Sequence, residues 1–210
     1  LGNEWGARGK PFHSAEVRLA ITFPDLYELG MSNFGLKILY QIVNDRPDMM
    51  CDRSYAPQED MEALMRSEQI PLFGWETREP LSNFELVGFS LQYELTYTNV
   101  LNLLDLSGIP LRSRERTQVF PLIFGGGPSA VNPEPLASFM DFYLIGDGEQ
   151  SLPHVMEIIA DFKREHAHED LIALDAEALE KLRYDLLVKI AKEVPGVYVP
   201  FLYEVTSNAP

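Results

Sequence analysis

Val119-Phe120-Pro121-Leu122-Ile123-Phe124 runs straight into Gly125-Gly126-Gly127-Pro128, and Phe142-Tyr143-Leu144-Ile145 runs into Gly146-Asp147-Gly148-Glu149. Each reads as an apolar strand closed by a glycine turn, with a short helical segment between the two. Strands that are apolar throughout, rather than alternating, belong in a parallel sheet covered on both faces. Glycines remove side chains where the backbone leaves the carboxyl end of such a strand, and ligands of open α/β sheets sit at that end. The stretch decides for a layered α/β fold and marks a binding edge without naming a ligand.

Working outward, three more strands are expected at residues 16–23, 49–55 and 86–91, making five. Helices are expected between them: one capped by Ser32 or Asn33 and carrying Leu36, Ile38, Leu39, Ile42 and Val43, one at 59–66, one at 96–107 and one at 151–165. Glu59, Asp60 and Glu62 suit the start of a helix and need no catalytic role. Residues 70–84 read as irregular. Such alternation gives a doubly wound, flavodoxin-like parallel sheet of five strands in the order 2-1-3-4-5 with right-handed crossovers. The expected organisation is an extended lead-in at 1–15, the α/β domain at 16–165, and a linker, helix and strand appendage at 166–210. Leu1 is no initiator methionine and the polar tail Thr206 to Pro210 follows a strand-like run, so a longer parent polypeptide is expected.

Composition narrows the function. The chain has 210 residues, 46% of them hydrophobic, enough for a full core. With 17 basic and 32 acidic residues its net charge is −15, which opposes a nucleic-acid backbone as partner. Arg112, Arg114 and Arg116 form the one dense basic cluster, read as a solvated loop. No apolar run approaches the ~20 residues of a membrane span. A single cysteine, Cys51, can neither close an internal disulfide nor hold a metal cluster, and points to the cytoplasm. His166 and His168 lie in a run of charge and read as a solvated helix end rather than metal ligands. Neither a Gly-x-Gly-x-x-Gly after the first strand nor a Ser-His-Asp arrangement is present, so no catalytic residue and no metal ligand is nominated.

In a flavodoxin-like sheet, three loops converge on one edge: Pro24-Asp25-Leu26-Tyr27-Glu28-Leu29-Gly30, Ser90-Leu91-Gln92, and the glycine loop. Their order resembles the cobalamin-binding domain, whose pattern is Asp-x-His-x-x-Gly, then Ser-x-Leu, then Gly-Gly; Asp25, Gly30, Ser90, Gly125 and Gly126 fit it. Tyr27 stands where that family has its cobalt-ligating histidine, and Gln92 where a leucine would complete the middle motif. A phenol of pKa ~10 is a poor cobalt ligand beside a neutral imidazole.

Longer words, Phe23 to Gly35, Val87 to Leu101 and Gly125 to Pro135, resemble the amino-terminal part of a radical-SAM family that carries a cobalamin-binding-like domain ahead of its catalytic barrel. The resemblance implies an accessory segment that holds cobalamin or substrate, or docks the barrel. The 4Fe-4S cluster and S-adenosylmethionine would belong downstream, because their Cys-x-x-x-Cys-x-x-Cys motif is not in this chain. The candidate cofactor-binding residues are Asp25, Tyr27, Gly30, Ser90, Leu91, Gly125, Gly126, Gly127, Gly146 and Glu149. The competing reading is a flavodoxin-like nucleotide-binding or interaction module without a catalytic role, since a glycine loop beside a helix amino terminus also suits phosphate.

Overall fold

A computed structural model describes residues 10–168, 174–204 and 206. The chain runs β1 (Val17–Leu26), a helical turn α1 (Tyr27–Gly30), α2 (Phe34–Asn44), β2 (Met49–Ala56), α3 (Glu59–Ser67), β3 (Leu86–Ser90), α4 (Tyr97–Leu106), β4 (Leu122–Gly126), β5 (Phe142–Leu144), α5 (Gly148–Glu165), α6 (Ala176–Glu193) and β6 (Val197–Tyr198). The sheet order is β2-β1-β3-β4-β5-β6. Its first five strands are parallel and keep the expected 2-1-3-4-5 order.

The sheet departs from expectation in its strand count. Among the described residues it has six strands, because Tyr198 and Val197 pair antiparallel with Tyr143 and Leu144. Among the described residues of the apolar run expected at 197–205, only Val197 and Tyr198 are strand. Pro200, which has no N–H to donate to a ladder, opens a 3-10 turn at Pro200–Leu202.

Both faces of the sheet are buried, as uniformly apolar strands require. Leu19, Ile21, Phe23, Leu122, Phe124, Phe142 and Leu144 point into one layer, shared with α2, α5 and α6. Ala20, Val87, Ile123 and Tyr143 point into the other, shared with α3 and α4.

Proline and capping chemistry set the boundaries. β1 continues beyond Pro24 to Leu26 through a register shift against β2, a bulge that accommodates the missing donor. β4 starts at Leu122 rather than at Val119, since Pro121 cannot enter the ladder and Leu122 N donates to Glu85 O at 2.9 Å. Asn33 caps α2, its Oδ1 accepting from Leu36 N at 2.9 Å.

The irregular stretch at 70–84 covers the β2 edge of the sheet. Trp75 N donates to Arg53 O at 2.6 Å, and the buried Asp52 carboxylate collects Arg53 N at 2.7 Å, Glu76 N at 3.0 Å, Thr77 N at 2.9 Å and Thr77 Oγ1 at 2.6 Å. A covered edge is protected from pairing with another chain. Among the described residues, no helix is long and apolar enough to cross a membrane.

Candidate functional site

A cleft of about 290 Å³ opens at the carboxyl ends of β1, β3, β4 and β5, between α2 and α5. Ile21, Leu36, Leu39, Phe124, Leu144 and Leu152 give it an apolar interior. Ser90, Gln92, Gly126, Gly127, Asp147 and Glu149 supply the polar or side-chain-free part of its lining. Gln92 Nε2 donates to Ser90 Oγ at 2.8 Å, which ties the loop after β3 to the end of its own strand.

The pleat of the sheet sorts the residues expected here. Ser90, Gly126, Gly127, Gly146 and Glu149 line the cleft. Gly125, one residue out of phase, faces the opposite layer: a Cβ there would stand 2.9 Å from the Leu91 and Tyr143 side chains. Leu91 is buried in that same layer.

Asp25, Tyr27 and Gly30 do not line the cleft. Asp25 Oδ2 accepts from Tyr93 Oη at 2.7 Å and its Oδ1 from Leu26 N at 2.8 Å. The Tyr27 ring stacks on Trp75 with centroids 4.5 Å apart and meets Tyr55 edge-on at 5.2 Å. Gly30 is pressed against the same cluster, a Cβ there standing 2.7 Å from Tyr55. The loop after β1 is therefore built into an aromatic wall.

Sequence reasoning did not nominate Gln92, Asn33, Gly35, Asp147 or Gly148 for the lining. Asn33 was legible only as a cap, and Asp147 and Gly148 only as turn residues between the nominated Gly146 and Glu149. Gly88, a glycine inside an apolar strand, signals a close approach. Here the close approach is internal, for a Cβ at Gly88 would lie 2.3 Å from Phe124 Cζ. Phe124 in turn stacks on Phe142 at 5.1 Å.

The charges in the cleft are both negative, Asp147 and Glu149. Its lining contains no lysine, arginine or histidine. The amino termini of α2 and α5 open toward it, and at α5 the acidic Glu149 already offsets the helix dipole.

The donor set of a histidine-ligated cobalamin is not present. No described histidine lines the cleft, and Tyr27 is engaged with Trp75. Asp25, which would orient a ligating imidazole, accepts from Tyr93 instead. His166 is stacked on Phe162 with centroids 4.2 Å apart, its Nδ1 2.8 Å from Phe162 O. Among the described residues, no group of three or more His, Cys, Asp or Glu could hold a metal ion. Cys51 is buried, and burial, with Asp52 and Glu76 nearby, pushes its thiol well above the usual range.

Around the cleft the loops present large apolar side chains to solvent. Phe34 is 79% exposed, Leu95 85%, Val131 72% and Leu29 54%. They come from the segments that follow β1, β3 and β4.

An open, mostly parallel α/β sheet with helices on both faces and a cleft at its carboxyl edge defines the class of doubly wound α/β domains. Residues 35–200 match the family described as radical SAM proteins, N-terminal, and the chain belongs to that family. It is thus the accessory amino-terminal domain of a radical-SAM protein, with a linked catalytic domain in the same polypeptide. The match starts in α2, so the loop bearing Asp25, Tyr27 and Gly30 lies ahead of it. No curated protein and no solved structure matches the chain.

Proposed function

We propose that this domain holds a ligand at the carboxyl edge of its sheet and presents it to the radical-SAM barrel of the same polypeptide, which docks on the apolar rim of the cleft. The observation that carries this reading is the rim itself. Phe34, Leu95, Val131 and Leu29 leave three separate loops and are all exposed on one edge. Large apolar side chains exposed from several loops around one cleft favour an interaction site there.

The lining favours a neutral or cationic ligand with an apolar body, because Asp147 and Glu149 are its only charges. Those two carboxylates weigh against the phosphate of a flavin or nucleotide at this edge, despite the helix termini. Cobalamin held here would carry no protein histidine beneath its cobalt, since Tyr27 belongs to the aromatic wall.

The test is hydrogen exchange on the full polypeptide. Amides of residues 29–34, 92–96 and 127–132 should be protected, and Leu95→Glu combined with Val131→Glu should release them while the sheet stays protected. Rapid exchange of these loops in the unmodified protein would overturn the docking.

A further inference from the structure

At the amino edge of the sheet, opposite the cleft described above, two arginines are buried around a single carboxylate. Asp141, buried directly ahead of β5, accepts from Arg116 Nη1 at 3.0 Å, from Arg183 Nη2 at 2.6 Å and from Ile123 N at 2.6 Å. The other guanidinium donors reach backbone carbonyls: Pro110, Leu111 and Phe139 for Arg116, and Gln118, Val119 and Pro121 for Arg183. Two buried arginines share one carboxylate, so the cluster retains positive charge in a medium that screens it poorly. Burial, together with Arg183 alongside, lowers the Arg116 pKa against the pull of Asp141.

Over this cluster lies a second cleft of about 320 Å³, between the loop at 113–117, α6 and the turn at Pro200–Leu202. Arg114 lines it, exposed, and makes no hydrogen bond or ion pair among the described residues. Arg114 also lines an adjoining cleft, together with Ser113 and Phe201. Ser113 and Thr117 place two hydroxyls beside it. The opposing wall is aromatic: Tyr184 and Phe201 are 49% and 48% exposed, with ring centroids 5.4 Å apart. Glu180 is the one carboxylate of the lining besides Asp141, against Arg114, Arg116 and Arg183.

We propose that this cleft is a nucleotide site, the phosphate taken by Arg114 with the Ser113 and Thr117 hydroxyls and the base laid against Tyr184 and Phe201. An exposed guanidinium above a buried positive cluster selects phosphate. Adjacent exposed aromatic rings select a planar base, and stacking on them is tolerant of base identity. The same chemistry is offered by a free mononucleotide and by the end of a single RNA strand. The overall charge of −15 repels a long polyanion and favours the mononucleotide. This site is independent of the carboxyl-edge reading.

Binding of adenosine 5′-monophosphate, and of a 5′-phosphorylated oligoadenylate of about ten nucleotides, is measured by calorimetry on the full polypeptide. Arg114→Glu should weaken binding by about ten-fold or more, and Tyr184→Ala by several-fold. Met61→Gln, on the exposed side of α3, should leave it unchanged. Arg114 and Tyr184 are exposed, so thermal melting of both variants should match the unmodified protein. Tighter binding of the monophosphate supports the site with a free nucleotide as its source; tighter binding of the oligonucleotide supports it with a strand end. The proposal is overturned if neither probe binds at millimolar concentration, or if binding is indifferent to both substitutions.

Discussion

Glu85 precedes β3 at the amino edge, where its carboxylate ties three elements together. Its Oε2 accepts from Arg18 N and Arg18 Nε, each at 2.9 Å, and its Oε1 from Lys163 Nζ at 2.6 Å and from Arg18 Nη2. Burial alone would raise its pKa, but the hydrogen bond from Arg18 and the charge of Lys163 outweigh it and hold the carboxyl below its usual value. A folded-state pKa below the unfolded one means stability that is complete above the unfolded value and is lost as pH falls through the folded one. Urea midpoints should therefore decline as pH drops below about 4.3, the ordinary glutamate value. Glu85→Gln should cost about 2 kcal/mol at neutral pH, partial exposure of Arg18 and Lys163 limiting the loss, and should flatten the acid limb. An acid limb of unchanged steepness in the variant would count against this role.

The glycine loop after β4 shows how an element divides its work between neighbours. Gly127 adopts φ +99°, and a Cβ there would stand 2.9 Å from Leu91 O. Gly126 has no such constraint, its nearest neighbour being Leu144 O at 3.7 Å from an added Cβ. Gly127→Ala should lose about 1–3 kcal/mol of stability through backbone strain and steric conflict. Gly126→Ala should stay within about 0.5 kcal/mol of the unmodified protein in chemical denaturation, leaving Gly126→Trp as a clean way to fill the cleft. Equal losses at the two positions would show that Gly126 too is structural.

The sequence could not separate these two glycines, because a run without side chains carries no record of pleat phase. β3, β4 and β5 were legible for the opposite reason, since burial on both faces leaves short apolar runs, whereas β2 carries Asp52, Arg53 and Ser54 in its middle. A strand was expected in the carboxyl-terminal appendage, but its antiparallel pairing with β5 was not legible, since two residues carry no periodicity to show which face or partner they take. The loop of Asp25, Tyr27 and Gly30 resembled a binding motif, yet its partners are Trp75 and Tyr55, one supplied by the irregular 70–84 stretch and the other by β2. A contact between such distant segments has no local signature.

At the scale of the molecule, the accessory role should show itself in metal content. The chain has one cysteine, and Cys51 is buried with a thiol that burial keeps protonated. After anaerobic treatment with iron and sulfide, the 210-residue chain should retain no cluster by metal analysis. About four irons held per chain would refute the assignment of cluster chemistry to the linked domain. The direction of β6 bears on how that linked domain reaches the cleft. Because β6 runs antiparallel to β5, Val197 and Tyr198 lead the backbone toward the amino edge, away from the rim of Phe34, Leu95 and Val131. A covalent link attached on that side would hold no lid in place by connectivity. It sets only an effective concentration, so lengthening it would shift the balance between open and covered arrangements without altering a single contact.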